Sequence, residues 1–396
     1  MTRLFLTLGR QGGRRVAQAQ QAHLAHGQSR LHAQTVSQPS GTPGATPGRT
    51  YSSSALPTIP TCPSPTCSCA STPSFPDNLE IDRKTPLNGL MPAYAEQVLV
   101  CTGQGDWSSK IEADNSGDNL AADLKELFGR GGVYSDPFHN VSVINSSFPS
   151  SPTPAKGTPP GLQTNSVYLL PSFKYVPWIP RVSFDSVQAL AEGFILPEKL
   201  HPEHEKALSP IHKDRLTRKE GYRAFLPGVR DVEDVLVLIC GHRGRDARCG
   251  VLGPVLQKEF EEKLESRGGV VMRDAVRADG EKEGEEGLTA VEAPETKDKL
   301  TRGAGKESDT GAFGARVGLI SHIGGHKYAG NVIMYIPPKA KTSDGENHPL
   351  AGLGVWYGRV EPKHVEGIVQ ETLLKGKLIE EFFRGAINTE RDLIKL

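Results

Sequence analysis

The sequence predicts an α/β protein of two thioredoxin-like halves, with a disordered N-terminal leader and a disordered insertion. Three observations point there. Each half opens on a short apolar strand that ends in cysteine, at Val98-Leu99-Val100-Cys101 and Val237-Leu238-Ile239-Cys240. Each strand is followed by the same order of loop, helix, strand, strand and helix. Residues 36–76 and 273–310 carry too few apolar side chains to build a core. A single irregular α/β domain would show a similar alternation, so the repeat is an expectation for the structure to test.

A chain of 396 residues supports about two domains, at roughly 100–200 residues each. Lys and Arg number 46, as do Asp and Glu, so no net positive charge is available for a nucleic-acid backbone. The apolar runs fall short of the roughly 20 residues of a membrane span. Six Cys are too sparse for a disulfide scaffold.

The charge balance hides an asymmetry. Residues 1–76 contain six Arg, no Lys and no acid, and the first carboxylate is Asp77. An acid-free, Arg-rich and Ser-rich start reads as a mitochondrial transit peptide over 1–51, and Arg49-Thr50-Tyr51-Ser52 resembles a processing site. The matrix is the favoured compartment because no long apolar sorting segment follows, with the intermembrane space as the other possibility. Residues 52–78 then form a disordered Pro/Ser/Cys segment that holds Cys62, Cys67 and Cys69.

The N-terminal half spans 79–200. Its strand at 96–101 leads to an amphipathic helix with Leu120, Leu124 and Leu127 on one face. Strands at 141–144 and 167–170 follow, then a helix from Ser183 with Asp185 in its first turn. Residues 201–230 are charged and irregular and read as a linker. The C-terminal half spans 231–396. Its strand at 235–240 precedes a helix with Leu252, Val255, Leu256, Phe260 and Leu264 inward. Strands at 317–320, 331–336 and 355–358 lead to a last helix from Pro362, a residue suited to a first helical position.

The chemistry-bearing residues lie in two loops of the C-terminal half. Eight residues separate Cys240 from Cys249, and three separate His322 from His326. Both loops follow strands, so two thiolates and two imidazoles can meet at one sheet end. Structural zinc usually uses Cys pairs two to four residues apart, and this loop is longer. A [2Fe–2S] cluster is wider than one ion, and two Cys with two His is the Rieske ligand set, although Rieske loops mix the two residue types. Cluster, zinc, a thiol redox pair and no metal all remain open on spacing alone.

The stretches Ile239–Gly250, Ser321–Asn331 and Gly354-Val355-Trp356-Tyr357-Gly358 resemble the sucrase/ferredoxin-like family. Ile81–Asn88 and Cys101–Trp107 add to that resemblance, which covers about 77–265 and 315–375. It implies a thioredoxin-like [2Fe–2S] ferredoxin with bis-histidine ligation. Matched motif by motif, the ligands are Cys240, Cys249, His322 and His326. The implied role is a redox carrier or redox-regulatory protein rather than a substrate-turnover enzyme, working with a redox partner or with thiol client proteins. No paired-carboxylate arrangement supports the sugar hydrolysis in the family name. The competing class is a thiol–disulfide quality-control protein that acts through Cys62, Cys67, Cys69 or Cys240, with a structural cluster or zinc.

Around the ligands, Gly241, Gly250, Gly324 and Gly325 would let backbone N–H groups approach sulfur. Arg243, Arg245 and Arg248 would place positive charge on the Cys loop. His242 is expected beside the site or exposed, without ligating. His348 and His364 are expected at the surface, Trp107 and Trp356 in the core, and Cys101 as a small buried apolar residue. Bis-histidine ligation would set a potential of about −150 mV or above. Protein isolated from mitochondria should begin near Ser52 on N-terminal sequencing; an intact Met1 contradicts the leader reading.

Overall fold

The computed structural model describes residues 56–76, 79–114, 119–154, 159, 161–277, 313–342 and 344–396. The transit peptide proposed for 1–51 and most of the insertion at 273–310 lie outside these residues. After strand β1 (Thr58–Ile59), the N-terminal half contributes β2 (Glu96–Cys101), α1 (Leu120–Phe128), β3 (Val141–Ser146), β4 (Thr164–Leu170), β5 (Lys174–Pro180) and α2 (Asp185–Leu190). Short helices α3 (His204–Ala207) and α4 (Pro210–Leu216) and strand β6 (Arg230–Asp231) lead onward. The C-terminal half contributes β7 (Val235–Cys240), α5 (Ala247–Ser266), β8 (Val270–Val271), β9 (Gly314–Ile320), β10 (Val332–Tyr335), β11 (Gly354–Tyr357) and α6 (Pro362–Ile368). Strands β12 (Leu378–Ile379), β13 (Phe383–Ile387) and β14 (Leu393–Ile394) close the chain.

All but β1 and β12 join one mixed sheet, in the order β14-β13-β11-β10-β7-β9-β3-β2-β4-β5-β6, with β8 alongside β9. Within the N-terminal half, β2 is parallel to β3 and antiparallel to β4, which is antiparallel to β5. The C-terminal half repeats this: β7 is parallel to β9 and antiparallel to β10, which is antiparallel to β11. Each half also ends its second helix in a π-helical turn, at Ala191–Ile195 and Val369–Leu374. The two halves therefore share a strand order and a local irregularity.

They do not form separate domains. β3 and β9 meet antiparallel at Ser146 and Ile320. Ser147 N–H donates to Leu319 O and its Oγ accepts from Leu319 N–H, both at 2.9 Å. Ser321 does the same with Asn145, at 2.9 and 3.0 Å. Two serines thus satisfy strand-end groups that a longer ladder would otherwise have to pair.

The central strands β2 and β7 are buried along their whole length, as expected of strands covered on both faces. Val98, Val100, Val237 and Ile239 pack with α1 and α5 on one face. Leu99, Cys101, Leu238 and Cys240 point to the other, with Tyr94, Tyr335 and Trp356. Trp107 and Trp356 are core residues, as expected. A buried polar network runs through the second face. Tyr94 Oη lies 2.5 Å from Tyr335 Oη and 3.2 Å from Trp356 Nε1, and Tyr335 Oη donates to Gln97 Oε1 at 3.1 Å. It ties β2 of one half to β10 and β11 of the other.

Three expectations need correction. Residues 201–230 are not a linker: α3, α4 and a 3₁₀ turn at Glu220–Phe225 pack there, with His204, Leu216 and Leu226 buried. Charge misled the reading because the outward residues bond back to the chain, as Lys219 Nζ does to Glu192 Oε2 at 2.7 Å. Residues 56–76 are not loose either. β1 pairs in parallel with β12. Thr66 N–H donates to Glu366 at 2.8 Å, Ala70 N–H to Glu259 at 3.0 Å, and Ile59 and Phe75 touch the core. This strap is held by buried carboxylates on α5 and α6, which composition cannot reveal. His348 is buried, with Nε2 at 3.1 Å from Leu373 O and Nδ1 accepting from Leu350 N–H. No helix among the described residues is long and apolar enough to cross a membrane.

The start of α5 presses on the Cys loop. A Cβ on Gly253 would stand 2.7 Å from Gly241 Cα and 3.0 Å from Cys240 O, both rigid backbone. Gly253→Ala should therefore destabilise the protein by about 1–3 kcal/mol, measured by denaturant titration. Gly221→Ala, which meets nothing within 4 Å, should leave the midpoint nearly unchanged.

Candidate metal centre

Cys240 is the last residue of β7, and Cys249 sits in the first turn of α5. Asp246 caps that helix by accepting from Arg248 N–H at 3.0 Å. Both thiols are buried. The Cys249 thiol, the His322 ring and the His242 backbone N–H are the neighbours that favour the charged form of the Cys240 thiol. Donation from Cys249, then the His322 ring, holds the Cys240 thiol well below its ordinary range, against the opposing effect of burial. The same contact pushes Cys249 up, with burial adding to it. The two thiols titrate as a pair, with Cys240 the more acidic of the two.

His322 and His326 leave β9 on a tight loop. Their ring centroids are 5.2 Å apart, tilted by 34°. Gly325, at φ 76°, turns the chain into the short helix that starts at His326. A Cβ there would lie 2.7 Å from Arg384 Nη2. Asn331 Nδ2 donates to Gly325 O at 2.9 Å, and Asn331 O accepts from Cys240 N–H at 3.0 Å. One asparagine thus fixes both loops. His326 Nδ1 is buried and has no hydrogen-bond partner.

The four side chains expected as ligands are neighbours: Cys249 and His322 act on the Cys240 thiol, and the His322 and His326 rings lie 5.2 Å apart. Among the described residues, no group of three or more His, Cys, Asp or Glu side chains is placed to hold a metal ion. Cys101 lies in the other half at the matching strand end, where burial pushes its thiol up to about 12.

His242 is neither exposed nor free. Its Nδ1 accepts from His322 N–H at 3.0 Å, so the ring proton is on Nε2, which donates to Trp107 O and Ser108 O, each at 3.0 Å. Neither nitrogen is left to bind a metal. The Trp107 ring meets the imidazole edge-on at 5.8 Å. His242 therefore clamps the His loop to a loop of the N-terminal half. Gly244 N–H adds a bond to Asp106 Oδ1 at 3.1 Å.

The expected positive charge on the Cys loop is reduced. Arg248 is spent on a bidentate pair with Asp246, at 2.9 and 3.0 Å, and on Glu80 O, while Arg243 and Arg245 are exposed. The buried cation near the site is one that motif reading missed. Arg384 on β13 donates to Asn331 Oδ1 at 2.7 Å and to Leu90 O at 2.8 Å. Burial lowers its pKa to about 10, while the charge on Cys240 acts in the opposite sense. Its signal was present as a lone Arg in the apolar run Phe382-Phe383-Arg384-Gly385-Ala386-Ile387. His242→Ala should cost about 1–3 kcal/mol in denaturant unfolding, because it leaves His322 N–H and two carbonyls without their partner.

Comparison with known proteins gives the chain its relatives. Altered inheritance of mitochondria protein 32 of Meyerozyma guilliermondii is 28% identical over 334 residues, covering 83% of this chain and 95% of its own length. The protein of that name from Debaryomyces hansenii is 27% identical, covering 81% and 93%. Actin patches distal protein 1 of Saccharomyces cerevisiae is 26% identical, covering 75% and 74%. No solved structure is significantly similar. The sucrase/ferredoxin-like profile matches residues 87–385, from the segment before β2 through β13 and across both loops of the site, and the chain belongs to that family.

Proposed function

We propose that the chain is a mitochondrial [2Fe–2S] protein of electron transfer or redox sensing, built on two thioredoxin-like halves. The observation that carries the reading is the convergence of Cys240, Cys249, His322 and His326 with a buried, unpartnered His326 Nδ1. A single tetrahedral ion needs four donors aimed at one point. Two soft thiols beside two imidazoles suit a unit of two irons. When bound, the cluster supplies one-electron uptake and release.

The protein's own residues prepare the site. Cys240 is poised to ligate as thiolate, and Cys249 would give up its proton on ligation. Arg384 offsets negative charge from beneath. His242, through its Nδ1, sets where His322 begins. The strand order of each half supports the thioredoxin-like assignment. The mitochondrial assignment rests on the acid-free leader and on the names of the relatives, and the absence of a long apolar sorting segment favours the matrix.

A second reading has one observation behind it. Cys67 is exposed, its Sγ 3.1 Å from Lys263 Nζ and 3.2 Å from Glu366 Oε2. An accessible thiol is what thiol exchange with client proteins requires. Cys67→Ser should then abolish mixed-disulfide adducts while iron content stays unchanged.

Anaerobically purified protein should be red-brown with about two iron and two sulfide per chain. One zinc in a colourless protein overturns the reading. Cys240→Ser or Cys249→Ser should lose the cluster, because a hydroxyl replaces a soft thiolate. His322→Cys or His326→Cys should keep it, with a lower potential and a weaker pH dependence, since an anionic ligand replaces one that can exchange a proton. An unchanged potential and pH dependence in both histidine variants would remove them from the ligand set.

A further inference from the structure

Apart from the thiols and imidazoles, a cavity of about 1040 Å³ opens between the ends of β4 and β5, the π-helical turn at Ala191–Ile195, the 197–229 segment and the C-terminal turn. It is large enough for a metabolite of nucleotide size. Five cationic side chains line it, Lys174, Lys199, Arg218, Arg223 and Arg391, against one carboxylate, Glu198.

Four of the five are ion-paired, with Asp231, Glu198, Glu220 and Glu96, and Lys199 is left over. Lys174 is matched by Asp231 at 2.6 Å. Arg218 donates to Leu196 O and reaches only the largely exposed Glu198. Arg223 donates to Gly193 O, and its partner Glu220 is also mostly exposed. Lys199 makes no ion pair among the described residues. Arg391 bonds Glu96 Oε2 at 3.0 Å and Ser172 Oγ at 3.2 Å. Its Nε is buried with no partner, and its backbone is held at φ 71°. A non-glycine residue in that region marks a place where the surroundings impose a conformation. The guanidinium groups also act on each other: burial first, then Arg391 and Arg223 as like charges, lowers the pKa of Arg218. The carboxylates that hold Arg218 and Arg223 are largely exposed, so these two cations and the unpaired Lys199 face the cavity with only weak surface partners.

We propose that this cavity binds a small phosphorylated metabolite. Arg218, Arg223 and Arg391 would take the phosphate groups, and the apolar wall of Leu169, Phe194 and Leu226 would take the carbon portion. Guanidinium forks match phosphate oxygens two at a time, and three of them from different segments suit more than one phosphate. This site shares no residue with the cysteine–histidine centre, so it stands whatever that centre holds.

Calorimetric titration of the full-length protein with inorganic pyrophosphate and with magnesium-free ATP tests the proposal. We expect one saturable site per chain for both probes, with ATP at least as tight and both weakened by salt. Arg223→Gln and Lys199→Ala keep the buried Glu96–Arg391 pair. Each should weaken binding, by about tenfold for the arginine, which loses charge-assisted bonds. No saturable binding of either probe, or unchanged affinity in both variants, overturns it. Pyrophosphate binding with ATP excluded would also overturn it, in favour of a bare anion site.

Discussion

The seam between β3 and β9 is the constraint on which the arrangement depends. Only Ser146 and Ile320 face each other in register there, yet the sheet runs through without a break. Ser147 and Ser321 make it possible by supplying a backbone N–H and a hydroxyl to the opposite strand, each to its counterpart's neighbour. The contact is self-complementary in the way a two-fold interface is, with both partners in one chain. A seam of this kind sets the height of the loops that follow β3 and β9, and of those that follow β2 and β7. That is why the loop at 106–108 of one half can bond His242 and Gly244 of the other.

From the seam follows the division of labour around the candidate centre. Cys240 and Cys249 belong wholly to the C-terminal half, as do His322 and His326. What holds them still is shared. His242 is fixed from the N-terminal half through Trp107 and Ser108, and Arg384 reaches across to Leu90 O. Arg384 is a buried cation, and burying a charge is costly unless it is paired or richly hydrogen-bonded. Carbonyls and Asn331 cover much of its guanidinium, and the rings of Tyr328 and Trp356 lie at 5.8 and 5.6 Å. Tyr328 and then Cys240 act to keep the guanidinium charged against burial, while Arg384 Nε is buried without a partner.

How legible this was depends on the kind of interaction. Apolar strands and helices with inward leucines could be placed from periodicity, because burial acts on each residue separately. The two ligand loops could be singled out from residue type and spacing. The strap at 56–76 could not, because its anchors are backbone N–H groups reaching Glu366 and Glu259, some 190 to 300 positions away in sequence. The segment at 201–230 read as a linker because its charges outnumber its few buried residues, Leu216 and Leu226 among them. His242 and His348 show a third limit. A histidine whose two nitrogens are taken by backbone groups looks in sequence like one free to ligate or to face solvent.

The shared strand order also bears on why the candidate donors lie in one half. The registers β2–β3 and β7–β9 set Cys101 opposite Ser146 and Cys240 opposite Ile320. One step on, the seam serines Ser147 and Ser321 correspond, and next come Phe148 in one half and His322 in the other. Phe148 turns its ring into the core against Tyr168, and a Cβ on Gly318 would stand 2.7 Å from it. Gly318 on β9 thus makes room for the phenyl ring of the opposite half. The equivalent position in the C-terminal half is an imidazole that reaches Cys240 instead. A single position beside the seam separates an apolar wedge from a candidate metal donor. Cys101, at the equivalent strand end, is left as a buried thiol with its pKa near 12 and no neighbouring imidazole to draw off its proton.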